Sequence, residues 1–206
     1  FQIESAHTLL VEKAGLDWCQ GRVNAAALRI DTSKTDYRLT LFCDRLNLAR
    51  LLEQLGAADA SGRGSVNGRI PISWVADRLT FDNGFLYSTP GESGTIRLTG
   101  TQALLAGLPP GSPQHTQLDI ATEALKDYSY QWAKLQLVSE GDILLLKLQL
   151  DGKPNRLLPF AYDQALGQFK RVSGVGQAEF KGISIDLNFR SPINDIIHYQ
   201  ELFNTK

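Results

Sequence analysis

Residues 64–100 read GSVNGRIPISWVADRLTFDNGFLYSTPGESGTIRLTG, and this stretch decides the fold. Val66, Ile70, Ile72 and Trp74 share one parity with Gly68 between them, whereas Ser65, Asn67, Arg69 and Ser73 share the other. A period of two sends the two sets to opposite faces of a sheet. Asp77-Arg78 and Asp82-Asn83-Gly84 punctuate the run, and Asn-Gly supplies the positive φ angles of a tight hairpin turn. Phe85, Leu86 and Tyr87 resume the strand pattern after the second turn, and Ile96 and Leu98 begin another after Pro90, Gly91 and Gly94. The stretch predicts a meander with one apolar and one polar face.

Outward from it the pattern continues. Upstream, Thr8 to Lys13, Val23 to Ile30 and Tyr37 to Cys43 read as strands, and Gly15 to Gly21 as a turn region. Leu48, Leu51, Leu52 and Leu55 then fall at helical spacing, with Asn47 as N-cap and Gly56 as stop. Downstream, Thr101 to Leu108 reads as a short helix, Gly111 to His115 as loop, and Thr116 to Tyr128 as a second helix with Asp119 in its capping box. Tyr130–Val138 and Asp142–Asp151 form a hairpin whose Leu144, Leu146, Leu148 and Leu150 share a face. Gly152 to Arg171 is ambiguous, and Gly174 to Phe180 is a further strand candidate. Gly182 to Arg190 alternates cleanly, with Ile183, Ile185, Leu187 and Phe189 on one side. Pro192 ends it, and Ile193 to Phe203 reads as a terminal helix. About ten strands exceed the usual sheet of about 4–6, so the sheet must curl, close or split. The expected fold is mainly β: a long, curved antiparallel sheet with an apolar groove and two or three short helices, and no domain linker.

Composition narrows the function. The net charge of −1 shows no basic surplus of the kind nucleic-acid binding leaves. Methionine is absent from the 206 residues, which is the pattern expected of a piece cut from a longer protein. His7, His115 and His198 stand apart from one another, and neither a zinc spacing nor a nucleophile motif occurs. Asp77, Asp82 and Glu92 sit near turns, where carboxylates serve structure or solvation. The expectation is a protein that is not an enzyme and needs neither cofactor nor metal. The apolar strand faces have two readings, a closed core or a groove for an apolar ligand. Cys19 and Cys43, the only cysteines, are either bridged between neighbouring strands or two buried thiols.

The order of the pieces carries a resemblance. LNLARLLEQLG is followed by GSVNGRIPISW, DRLTFDNGFLYS and TIRLTG, then by ALKDYSYQWAKLQL, GDILLLKLQLDGKP and ISIDLNFRSPINDIIHY. From Asn47 to Tyr199 this resembles the C-terminal region of the YdbH proteins, in the AsmA-like group of bacterial envelope proteins, also known as a dicarboxylate transport domain. The resemblance implies that residues 1–206 are one C-terminal piece of a large protein anchored in the inner membrane and crossing the periplasm. It implies phospholipid movement between inner and outer membranes along a β-sheet groove, and a small outer-membrane lipoprotein as partner. The groove lining is then expected at Val66, Ile70, Ile72, Trp74, Leu144, Leu146, Leu148, Ile183, Ile185 and Leu187. The partner edge is expected at Ile183, Ile185, Leu187 and Phe189, where the lipoprotein adds a strand. An oxidising compartment also tilts the cysteines toward a Cys19–Cys43 disulfide. The alternatives are a structural bridge or interaction module with a packed core, and an accessory for solute transport. The last would want paired Arg or Lys in the interior.

Overall fold

A computed structural model of the chain describes residues 2–5, 8–26, 28–31, 33–173 and 177–197. In chain order the first strands are β1 (Gln2–Ser5), β2 (Thr8–Val11), β3 (Ala14–Trp18), β4 (Gly21–Ala25), β5 (Leu28–Asp31) and β6 (Tyr37–Asn47). Helix α1 (Leu48–Gln54) leads to β7 (Asp59–Arg63), β8 (Ser65–Val75), β9 (Arg78–Phe81), β10 (Gly84–Ser88) and β11 (Gly94–Thr99). A 3₁₀ turn (Thr101–Leu105) and helix α2 (Pro113–Ala124) precede the long hairpin of β12 (Tyr128–Glu140) and β13 (Ile143–Pro154). A small hairpin of β14 (Phe160–Asp163) and β15 (Gln168–Arg171) comes before β16 (Ile183–Ser191).

Eleven of these strands form one antiparallel sheet, with a backbone order β16-β13-β12-β10-β8-β6-β4-β3. β7 and β11 branch from β12, and β9 pairs with β8. The sheet curls into a half-barrel. β1, β2 and β5 make a separate three-stranded sheet.

The register aligns the apolar parity of each strand into rungs. One rung runs Val23, Cys43, Gly68, Leu86, Leu135, Leu148 and Leu187, each directly opposite the next across seven strands. A second joins Leu137, Leu146 and Phe189, and a third joins Ala133, Leu150 and Ile185. Two irregularities re-phase the alternation. β6 shifts between Cys43 and Leu46, where Arg45 takes φ 53°. β12 shifts between Tyr130 and Trp132, so Gln131 and Trp132 both face outward. Such bulges bend a strand and re-aim a side chain.

The concave face is filled from above by α1. Asn47 caps this helix by accepting from the Arg50 N–H at 2.9 Å, and Gly56 leaves it at φ +66°. Leu48, Leu51, Leu52 and Leu55 are all buried in the sheet's core. Each such side chain contributes roughly 1.5–3 kcal/mol on leaving water. α2 begins at Ser112, whose Oγ accepts from His115 N–H, with Pro113 in the first turn. Proline's preset φ starts a helix there, three residues before the Thr116 expected from the sequence. Asp119 is no cap, and α2 ends at Ala124, so that Tyr128 already belongs to a strand.

Other expectations also shift. Gly15–Gly21 is largely strand: only Cys19 (φ 48°) and Gln20 (φ 62°) form the β3–β4 turn. The expected Cys19–Cys43 disulfide is corrected, since both are free thiols. Cys19 rides in that turn, its carbonyl accepting from Asn47 N–H at 2.8 Å, while Cys43 lies in the rung between Val23 and Gly68. Burial pushes the thiol of Cys19 up to about 11 and that of Cys43 up to about 12, so both stay protonated at neutral pH. Of the candidate strand Gly174 to Phe180, residues 174–176 lie outside the described residues, and Ala178 makes an isolated bridge to Leu158. The ends of the first and last segments, including His7, His198 and Phe203, also lie outside the described residues.

Gly68 is the one rung position without a side chain, and the geometry explains it. A Cβ there would sit 2.2 Å from the Phe85 carbonyl oxygen, a backbone atom that cannot swing away. Gly68→Ala should therefore lower unfolding free energy by about 2 kcal/mol or more, read as a shifted urea midpoint. A midpoint within error of the parent would mean that the β8–β10 contact is looser than described.

Candidate apolar binding site

The expected groove residues fall on the concave face, but unequally open. Val66, Ile70, Leu144, Leu146, Leu148, Ile185 and Leu187 are buried, as is Phe189, while Ile72, Trp74 and Ile183 are half-buried. All ten except Trp74 belong to or pack against one continuous core. Trp74 stands beyond it, paired with Tyr37 and Leu79 at the tip of the β8–β9 hairpin.

One end of the concave face is packed solid. Tyr128, Tyr130, Leu125 and Phe160 are almost wholly inaccessible there. The Tyr128 hydroxyl donates to the Ile183 carbonyl. The Tyr130 ring lies against Gly64 and Gly94, where a Cβ would collide with it at 2.1 Å. The other end is open. Between the tip of α1, the helical segment 193–197 and the sheet lies an apolar cavity of about 230 Å³. Its floor is Leu41, Ile70, Ile72, Phe81 and Leu137, and its roof Leu55, Ile193, Ile196 and Ile197. An apolar cavity of roughly 150 Å³ already admits benzene, so this one has room for the end of an acyl chain but not for a whole lipid.

The roof is latched by a single side chain. Asn194 Oδ1 accepts from Leu79 N–H at 2.8 Å, and its Nδ2 donates to the Leu79 carbonyl at 3.2 Å. The terminal segment read as a helix from the sequence is helical over its described residues 193–197. It crosses the concave face, bringing Ile196 beside Gly56. β16 does stand at the sheet's margin, pairing only with β13 among the described residues. A cleft of about 580 Å³ separates its first residues, Ile183 to Asp186, from α2.

The sequence reading missed Leu41, Phe81 and Leu137 as site residues. Their signal was present: Leu41 shares parity with Leu39 and Cys43, and Leu137 with Ala133 and Leu135. The roof was invisible because it depends on where α1 and the terminal segment dock.

An ion cluster fixes α2 over the closed end. Glu123 is buried, and its carboxylate accepts from Lys126 (2.8 Å), Arg156 (2.5 Å) and Arg171 (3.1 Å). Arg171 also grips Asp119 at 2.6 Å, tying β15 to α2. Burial alone would raise the Glu123 carboxyl, but the three cationic donors outweigh it and hold it down at about 2.

A family model described as "Intermembrane phospholipid transport protein YdbH", of the YdbH-like family, matches residues 1–157. No curated protein and no solved structure matches the chain. The match covers the strands through β13 and lies upstream of β14, β15 and β16.

A depressed carboxylate stabilises the fold above its ordinary pKa, and that contribution is lost as pH falls through the folded value. For Glu123 the window runs from about pH 4.5 down to about 2, and it carries on the order of 2–3 kcal/mol. Glu123→Gln should lower the melting temperature at pH 7 and narrow its gap to the parent across that window. A gap that stays constant from pH 7 to pH 2 would contradict the assigned role.

Proposed function

The chain belongs to the YdbH-like family, whose members serve intermembrane phospholipid transport in the cell envelope, and on that premise we propose that its concave face receives phospholipid acyl chains. The observation that carries this is the set of apolar rungs crossing seven strands and opening at one end into the Ile70–Ile72 cavity. An acyl chain gains about 0.8 kcal/mol for each CH₂ it buries, with no directional bond to break. A sheet face of Leu, Ile, Val and Phe offers nearly the same solvation at each rung, so a chain slides without a deep trap. Anchoring of the whole protein in the inner membrane, a periplasmic position for this segment and a small outer-membrane lipoprotein belong to the same proposal. The margin of β16, which among the described residues pairs with no strand but β13 and carries Ile183, Ile185, Leu187 and Phe189, supports addition of a partner strand, since an edge presents free N–H and C=O groups. The paired cations inside the groove that a solute-transport accessory would want are not among its described wall residues.

A second reading has its own support. Leu146 and Leu148 are fully buried in the same core as the α1 leucines, as in a packed structural bridge. The two readings part at Ile72, which is half-buried at the cavity, and Leu146, which is fully buried. Native mass spectrometry after mild extraction should find phospholipid on the parent. Ile72→Asp should lose that lipid while still melting cooperatively. Leu146→Asp should fail to fold, because an unpaired buried charge costs several kcal/mol against a margin of about 5–15 kcal/mol. A parent that carries no lipid, with Ile72→Asp unfolding like Leu146→Asp, would favour the packed bridge.

A further inference from the structure

The convex face of the sheet is not the uniformly polar surface that the meander's alternation suggested. Its centre carries an aromatic ladder interleaved with cations. Phe42 lies directly opposite Arg69, and Arg69 opposite Phe85. Phe85 meets Tyr87 edge-on at 5.6 Å, and Tyr87 meets Trp132 at 6.4 Å. The Arg69 guanidinium sits over the Phe85 ring at 5.1 Å, and the Lys134 ammonium over the Tyr87 ring at 5.8 Å. Phe42, Tyr87 and Trp132 remain 47%, 39% and 41% exposed. Trp132 reaches this face only because the β12 bulge turns two consecutive residues outward.

The charges of the ladder are unusual for this molecule. Other surface guanidinium groups are commonly engaged, as Arg45 is by Glu92 and Arg190 by Glu140. Among the described residues, Arg69 and Lys134 have no carboxylate partner, and neither do Arg38 and Lys147 on the same face. The carboxylates of this face lie at its flanks: Asp186 is taken by Gln149 and Asp151 by Ser184 on one side, and Asp17, paired with Arg22, and Asp44 stand on the other. A chain with net charge −1 thus presents a local cationic field studded with amphipathic rings.

We propose that this convex face docks on the anionic headgroup surface of a phospholipid bilayer, an inference that rests on the lipid-handling reading above and adds where the sheet meets the membrane. Trp and Tyr favour the boundary between headgroups and acyl chains, where one side of the ring is dry and the other wet. Arg and Lys beside them pair with lipid phosphates, and juxtaposed basic residues draw a protein to an anionic leaflet. A glycan fits less well. The rings are tilted at 44–61° to one another, and the faces of Phe85 and Tyr87 are already occupied by cations, which leaves no flat platform for sugars. The opposite polarity of the two faces separates the tasks, with the concave side handling acyl chains and the convex side the bilayer surface.

The test is co-sedimentation of the full chain with vesicles of phosphatidylcholine alone or with about one-third phosphatidylglycerol. Binding is expected only to the anionic vesicles and should weaken as salt rises and the Debye length shrinks. Arg69→Glu combined with Lys134→Glu should reduce partitioning by roughly tenfold or more, and Tyr87→Ser with Trp132→Ser should reduce it at unchanged salt dependence. These residues are exposed or half-exposed, and unchanged melting curves will certify the fold. Ile72→Asp serves as the counter-variant: it should lose co-purified lipid yet still sediment with anionic vesicles, so the groove reading and this one fail separately. Equal binding to neutral vesicles, no effect of the Arg69/Lys134 reversal, or retention on an anionic polysaccharide without vesicle binding would each overturn the proposal.

Discussion

The structure depends on keeping seven strands in phase. Val23, Cys43, Gly68, Leu86, Leu135, Leu148 and Leu187 lie side by side only if every pairing holds its register. A slip of one residue anywhere would turn that strand's apolar set to the convex side and expose its polar set to the core. The close passage of Gly68 under the Phe85 carbonyl lets β8 and β10 approach where the sheet bends. The two bulges restore the alternation after each bend, and they account for a sheet that curls where a longer flat one would present open edges.

From that phasing follows a concave face that must be covered. α1 contributes four buried leucines to that cover, and α2 is held over the closed end by the buried Glu123 and its three cations. At the other end the cover is the segment 193–197, attached through the amide of Asn194 to the backbone of Leu79. Two hydrogen bonds of this kind are worth about 1 kcal/mol each, and of the segment's isoleucines only Ile193 is buried, against four buried leucines in α1. The cavity therefore lies under the weaker part of the roof, which is where a chain gains entry at least cost.

Much of this was legible in the sequence. The alternation of residues 64–100 and of 144–150 fixed strand type and face, because a half-buried strand has to alternate. The spacing of Leu48, Leu51, Leu52 and Leu55, flanked by Asn47 and Gly56, located α1 to the residue. What escaped was set by tertiary geometry. Pro113 moved the start of α2 upstream, the β12 bulge turned Trp132 outward, and Cys19 fell in a turn. The separation of buried Leu146 from accessible Ile72 was equally hidden, since both read as inward-facing aliphatic residues on strands. Only the docking of α1 and of residues 193–197 distinguishes them.

The central claim is that acyl chains enter the concave face at its open end, and labelling tests it most directly. A phospholipid with a diazirine at its acyl terminus, supplied as a dilute monomer in detergent, can be photolysed with the unmodified chain and the adducts mapped by peptide mass spectrometry. The account predicts adducts on Leu41, Ile70, Ile72, Phe81 and Leu137, which form the cavity floor, and none on the convex neighbours Thr40, Ser73 and Gln136. Adducts spread over both parities of β6, β8 and β12, or an absence of adducts on the cavity floor, would contradict it.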